Sequence, residues 1–191
     1  VKFAEQYYPD LLPNLSSCKS PQQMFGSVAK QHLSQELGVP REKIVVISVM
    51  PCTAKKFEAR RDEFKVNGNP DVDNVLTTNE LAVMIRERGI EFSQLDPGSF
   101  DLPFGFKTGA GIIFGTTGGV SEAVLRYAAD TMGRGMHNEF RQLRYGKGIT
   151  SAEITVSGIT LKLAIVSGLA NARKLMDDIR KGEADFDLVE V

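Results

Sequence analysis

The sequence predicts an α/β fold with mostly parallel sheets flanked by helices, arranged as two lobes around a cleft and carrying one β-hairpin. Three observations lead there. Residues 43–50 form a nearly continuous Ile/Val run, the composition of a strand buried on both faces, and such strands belong chiefly to parallel sheets. Short β-branched runs alternate with capped helical segments along the chain, the order that wraps helices around a sheet. Residues 151–157 and 161–167 alternate apolar and polar side chains on either side of a turn centred on Gly158, which predicts the hairpin. By length alone, 191 residues fit one α/β domain or two small lobes sharing a cleft.

Taken in order, residues 1–8 are short and mixed and stop at Pro9, as the tail of a helix would. Residues 11–19 make a polar loop. Ser20-Pro21-Gln22-Gln23 has a serine cap and a proline at the first helical position, ahead of the periodic Met24, Val28 and Leu33. That helix should end near Gly38, with Pro40 beyond it. The 43–50 strand runs straight into Pro51-Cys52-Thr53-Ala54-Lys55-Lys56, which puts Cys52 at the strand's carboxyl end, the edge where open α/β sheets place ligands.

Asn67-Gly68-Asn69-Pro70 is a turn, and 74–76 a short strand. A capping box from Thr77 to Glu80, or a cap at Thr78, starts a helix through Arg88 that Gly89 closes. Residues 105–119 are glycine-dense around the apolar island Ile112-Ile113-Phe114, and a helix over 120–132 leaves this loop. After the hairpin, 170–181 is helical and 186–191 alternates as a final strand.

Composition narrows the function classes. Hydrophobic residues are 42% and charged residues 25%, and 23 basic against 24 acidic side chains leave a formal net charge of −1. With those charges mixed along the chain, no basic stripe suits nucleic acid. The longest apolar run, residues 44–50, is far too short for a membrane span. Two separated cysteines, Cys18 and Cys52, make neither a disulfide framework nor a complete zinc or iron–sulfur site, and they suit a reducing cytoplasm. A first residue Val1 without a leader, and a last element that is an uncapped strand, lead us to expect a segment of a longer cytoplasmic protein.

The richest stretch chemically is Met50-Pro51-Cys52-Thr53-Ala54-Lys55-Lys56-Phe57-Glu58. Thiolate is the metal-binding and nucleophilic form of cysteine, and a cation such as Lys55 favours it. Taken by itself the stretch equally describes a half-buried cysteine after a strand, followed by solvated lysines. Gly115-Thr116-Thr117-Gly118-Gly119-Val120 opens a helix with free N–H groups that favour an anion, or it is simply a tight loop-to-helix turn; its spacing is neither a Walker loop nor a dinucleotide fingerprint. Ser16-Ser17-Cys18-Lys19-Ser20-Pro21-Gln22 sets hydroxyls, a thiol and an amide before a helix, where capping alone accounts for them. His32 and His137 have no partner identifiable from sequence, and most of the six methionines fill core.

Together these segments resemble the large-subunit catalytic domain of the iron-only (FeFe) hydrogenases. Residues 50–58 match that family's MPCxxKxxE motif; residues 15–26, Thr77-Thr78-Asn79-Glu80-Leu81 and residues 113–120 match three further segments, in order, along essentially the whole chain. The resemblance implies a cubane 4Fe-4S cluster joined by a cysteine to a di-iron subsite with CO, cyanide and a dithiolate bridge (the H-cluster), and reversible reduction of protons to hydrogen. It implies that Cys52 is one thiolate ligand of the cubane and that Lys55 donates to a cyanide, a bound anion presenting a nitrogen acceptor. Met50, Pro51, Ser20, Pro21, Gln22 and Phe114 would wall the di-iron subsite, with Gly118 and Gly119 admitting close backbone. Ser16 and Glu58 resemble residues of proton or water routes, Ser16 the better relay because a hydroxyl accepts and donates in turn.

The family's other cysteines, in a TSCCP motif and a MACxxGC segment, fall outside these residues, and Cys18 lies where the family needs no ligand. We therefore expect residues 1–191 to be part of a catalytic domain, inactive alone and without a complete cluster. Expected partners are ferredoxin or another redox module and H-cluster maturation proteins. Two other readings stay open: a hydrogenase-like protein of iron–sulfur assembly or of hydrogen or redox sensing, and a small-molecule-binding α/β domain with a reactive Cys52.

Overall fold

The computed structural model describes residues 1–102, 104–105, 109–131, 141–146, 148–156 and 159–191. His137, the glycines at 133 and 135 and the turn at Gly158 lie outside the described residues. The chain forms two compact units, one of Val1–Leu15 with Phe100–Val191 and one of Ser16–Ser99. Helix α1, Lys2–Tyr7, opens the first unit, and a 3-10 turn over Pro9–Asn14 follows it. Between them Tyr8 is buried, its hydroxyl 2.8 Å from the Asp177 carboxylate.

In the Ser16–Ser99 unit, helix α2 (Pro21–Leu37) begins and ends as its caps require. Ser20 Oγ accepts the Gln23 N–H at 3.4 Å, Pro21 occupies the first turn, and Gly38 closes the helix at φ 62°. Its inner face is the surprise. Met24, Phe25 and Val28 are exposed, whereas Gln23, Gly26, Ala29 and Lys30 are buried. Gly26 permits this because a Cβ there would lie 2.5 Å from the Asp71 carbonyl oxygen and 2.7 Å from Val72. Lys30, wholly buried, gives its ammonium to the Pro70 carbonyl (2.6 Å), Asn69 Oδ1 (3.3 Å) and Asp73 Oδ1 (3.0 Å).

Strand β1 is Ile47–Met50, shorter than the 43–50 run, because Arg41–Lys43 takes a 3-10 turn. Nor is it buried on both faces, as its composition suggested. Val46 and Met50 pack on Ala59, Val72 and Val75, while Ile47 (57% exposed) and Val49 (43%) point outward. Its one sheet partner among the described residues is β4, so its composition overstates its burial. Helix α3 (Ala54–Glu58) follows. Strands β2 (Lys65–Val66) and β3 (Asn69–Pro70) then pair antiparallel around Asn67 and Gly68, both at positive φ (50° and 81°), as a two-residue hairpin turn demands. Strand β4 (Asn74–Thr77) lies parallel to β1.

Helix α4 (Thr78–Glu87) is capped by Thr77, and Glu80 closes a full capping box. The Glu80 carboxylate takes hydrogen bonds from the Lys56 ammonium (2.5 and 2.6 Å) and the Thr77 N–H (2.8 Å), and these hold its pKa down at about 2. Since that value lies below the unfolded one, the cap stabilises fully above the ordinary glutamate range and weakens as pH falls toward 2. Circular dichroism during acid titration should show helix loss between about pH 4 and 2 that Glu80→Gln removes. An identical titration for the variant would rule the cap out as its source.

Returning to the first unit, the glycine-dense segment holds a short helix α5 (Gly109–Ile113), and α6 (Gly119–Thr131) follows it. Strands β5 (Arg141–Gly146), β6 (Ile149–Val156) and β7 (Ile159–Val166) run antiparallel in that order. Helix α7 (Leu169–Lys181) then crosses over to β8 (Leu188–Glu190), parallel to β7. Ala172 and Leu175 of α7 cover Ile149, Ala164 and Val166 on one face. Leu125 of α6 covers Ala152 and Leu163 on the other.

The α/β class and the β6–β7 hairpin stand, but the sheets are mixed rather than mostly parallel. Only β1–β4 and β7–β8 pair parallel among the described strands. Tight connections within β5–β7 force antiparallel neighbours, and only a helical crossover such as α7 delivers a parallel one. No helix among the described residues is long and apolar enough to cross a membrane.

Candidate functional site

Cys52 is where the sequence placed it, exposed on the short link between β1 and α3, with a free thiol. The Lys55 N–H reaches back to the Cys52 carbonyl at 3.3 Å, which starts α3 immediately after the cysteine. Lys55 and Glu58 sit three residues apart, on one face of that helix. The Lys55 ammonium is 2.8 Å from Glu58 Oε2, both side chains 21% exposed. The other Glu58 oxygen accepts the Ser20 hydroxyl. Gln22 donates to the Lys55 carbonyl (3.4 Å) and accepts from the Ser48 hydroxyl of β1 (2.9 Å).

Ser20, Gln22, Lys55 and Glu58 thus form one hydrogen-bonded group that joins the start of α2 to α3 and β1. Met50 packs into the Ala59–Val72–Val75 cluster, while Pro51 and Pro21 are exposed. Ser16 does not share in this group. It is exposed, and its Oγ accepts the Cys18 N–H at 3.2 Å within its own loop.

Phe114, Gly118 and Gly119 belong to the other unit. Phe114 is half-buried at the end of α5. The two glycines serve contacts within their own unit. Gly118 has φ +83°, and a Cβ on it would meet Ile165 Cδ1 at 2.6 Å; a Cβ on Gly119 would collide with the Ile113 carbonyl. The free N–H groups at the start of α6 already hold an anion. The Glu190 carboxylate of β8 accepts from Gly118 N (3.0 Å), Ser121 N (2.9 Å) and the Ser121 hydroxyl (2.7 Å). A polar hollow of about 360 Å³ opens beside it, lined by Thr116, Thr117, Ser167, Gly168 and Glu190.

Glu190 was not anticipated. The signal available in the sequence was a run of unsatisfied N–H groups after Gly115–Gly119 that called for an acid, without saying which acid.

Among the described residues no three His, Cys, Asp or Glu side chains gather as metal ligands. Both free thiols, Cys18 and Cys52, are exposed, and Cys52 is the one with a lysine three residues on; it fits one corner of a cubane cluster. It fits no more than that corner.

The frame is α/β, with a cysteine at a strand's carboxyl end and, three residues on, a lysine ion-paired to Glu58. The chain belongs to the iron-only hydrogenase large subunit family: the model for the C-terminal domain of that subunit matches residues 1–191. It is 48% identical over 193 residues to the NADP-reducing hydrogenase subunit HndD of Solidesulfovibrio fructosivorans, covering 100% of this chain and 33% of that protein. It is 40% identical to the periplasmic [Fe] hydrogenase large subunit of Nitratidesulfovibrio vulgaris, covering 99% of this chain and 45% of that one.

Among solved structures, apo [FeFe]-hydrogenase HydA1 of Chlamydomonas reinhardtii superposes with a TM-score of 0.80 at 37% identity, over 98% of this chain and 55% of that chain. The chain therefore spans between about a third and just over half of the length of these proteins. More distant relatives, at 31 to 33% identity, carry the name cytosolic Fe-S cluster assembly factor.

Proposed function

We propose that residues 1–191 form part of the catalytic domain of a hydrogenase that reversibly reduces protons to hydrogen, and that Cys52 supplies one thiolate to its cubane cluster. The observation that carries this reading is the exposed Cys52 thiol at the end of β1, with the Lys55 ammonium held on the first turn of α3. Identities of 48 and 40% to two hydrogenase subunits favour catalysis as the class.

The iron assembly, when bound, supplies the redox chemistry. This chain supplies the rest of what can be assigned. Cys52 would bind as thiolate, and Lys55 would direct an N–H toward an anionic ligand. Within the Ser16–Ser99 unit, Pro51, Ser20, Pro21 and Gln22 would shape the wall around Cys52, with Met50 beneath them in the apolar cluster. The Ser16 hydroxyl, exposed and locally bonded, can hold and pass a proton. A ferredoxin-like redox module would deliver electrons, and maturation proteins would install the di-iron unit. Free thiols favour a cytoplasmic setting.

In the full-length protein, Cys52→Ala should abolish cubane iron, measured by iron assay and electron paramagnetic resonance, while circular dichroism stays that of the wild type. Normal iron content in that variant would overturn the ligand assignment. The assembly-factor reading draws on the relatives at 31 to 33% identity. Hydrogen evolution by the reconstituted full-length protein separates the two: turnover selects the hydrogenase, and full cluster occupancy without turnover selects the assembly class.

A further inference from the structure

The family resemblance puts Glu58 on a proton or water route; the geometry points elsewhere. We propose that Glu58 is a positioning residue for Lys55, locked in turn by Ser20, so that the chain aims its ammonium before any ligand arrives. The inference rests on the reading of Lys55 as the donor to an anionic ligand of the iron assembly.

Both oxygens of the Glu58 carboxylate are committed. Oε2 takes the Lys55 ammonium at 2.8 Å, and Oε1 takes the Ser20 hydroxyl proton. The direction of the second bond is set by the carboxylate paired with Lys55, which can only accept: Ser20 gives it its proton while its Oγ accepts the Gln23 N–H that begins α2. A relay must exchange donor for acceptor as a proton passes. Reversing Ser20 would leave its own proton in need of another acceptor, and protonating Glu58 would remove Lys55's counter-charge.

Lysine is a point charge on a flexible stem, so it needs anchoring to aim. Lys55 is anchored at both ends, its carbonyl by Gln22, itself bonded to Ser48 of β1, and its ammonium by Glu58. Side chains only 21% exposed on each side make this pair less screened than an open surface pair. An ammonium has three N–H donors; with one given to Glu58, two remain to meet a ligand.

The test uses the full-length protein carrying its cluster, with Lys55→Met, Glu58→Gln, Glu58→Asp and Ser20→Ala variants. Infrared spectroscopy of the CO and cyanide bands reads the aim of Lys55 directly, and a merely structural change far from the ligand would not move cyanide selectively. Glu58→Gln is expected to shift the same cyanide bands that Lys55→Met shifts and to lower retention of the di-iron unit. Ser20→Ala should shift them less, and Glu58→Asp should restore them in part. The solvent hydrogen–deuterium isotope effect on residual turnover should stay that of the wild type.

If Lys55→Met shifts the cyanide bands and Glu58→Gln does not, the positioning role is overturned while the reading of Lys55 survives. Unmoved cyanide bands in Lys55→Met itself overturn both. A changed isotope effect in Glu58→Gln, with cyanide bands in place, makes Glu58 a proton carrier and also overturns the inference. Should Glu58→Gln fail to fold, Glu58→Asp with the same infrared readout decides: bands unmoved despite a shortened side chain would refute positioning.

Discussion

Lys30→Met should destabilise the Ser16–Ser99 unit by about 3–5 kcal/mol, the range seen when one partner of a buried ion pair is removed. The Lys30 side chain has no exposed surface, and its ammonium lies 2.9 Å from Asp73 Oδ2 and 2.6 Å from the Pro70 carbonyl. Methionine fills the stem's volume but leaves Asp73 charged and the Pro70 carbonyl unpaired. Asp73 also accepts the Val46 N–H (2.7 Å), so the damage should spread to the approach of β1 and thence toward Cys52.

Neighbouring charges cannot step in. Lys19 and Arg41 are both engaged by the buried Asp71, each at 2.5 Å. Urea denaturation measures the effect. The double variant Lys30→Met with Asp73→Asn should recover part of the loss, because the uncompensated carboxylate is gone. A single-variant loss under about 1 kcal/mol would mean that water reaches the site and that the pair is in effect exposed.

This buried pair also marks where sequence legibility ends. Local chemistry was readable: the Ser20 cap, the Gly38 terminus, the Thr77–Glu80 box, the Asn67-Gly68 turn and the position of Cys52 after β1 are all set by neighbours a few residues apart. What was not readable depends on partners far away in the chain. Lys30 meets Asp73 across 43 residues, and that contact, with Gly26 beneath Asp71, turns the polar face of α2 inward against its apolar periodicity. The Ile/Val run of β1 shows its composition but not its neighbours, so burial on both faces could not be read from it. Glu190 meets Gly118 across 72 residues. The candidate site was legible as residue types; Glu58 lay in the right motif, but its bonds to Lys55 and Ser20 could not be read from it.

Gly119→Ala is the second substitution with a large expected effect, a loss of about 3 kcal/mol or more. The added methyl would overlap the Ile113 carbonyl and come within 2.8 Å of Thr116 Oγ1. Neither can yield cheaply. Thr116 donates its hydroxyl (2.7 Å) and its N–H (3.0 Å) to that same carbonyl, and the Gly119 N–H returns to the Thr116 carbonyl at 2.9 Å. The turn must re-form as a whole, which draws Gly118 N and Ser121 N away from the Glu190 carboxylate. Glu190→Gln should therefore also destabilise the unit, and the double variant should lose less than the sum, since both substitutions undo one loop.

Thermal melting of the cluster-free protein separates the two uses of this glycine. A residue kept small only so that a ligand can approach would leave that melt unchanged and weaken cluster retention alone. A residue kept small for the Ile113 carbonyl lowers the melt, when replaced, before any iron is present.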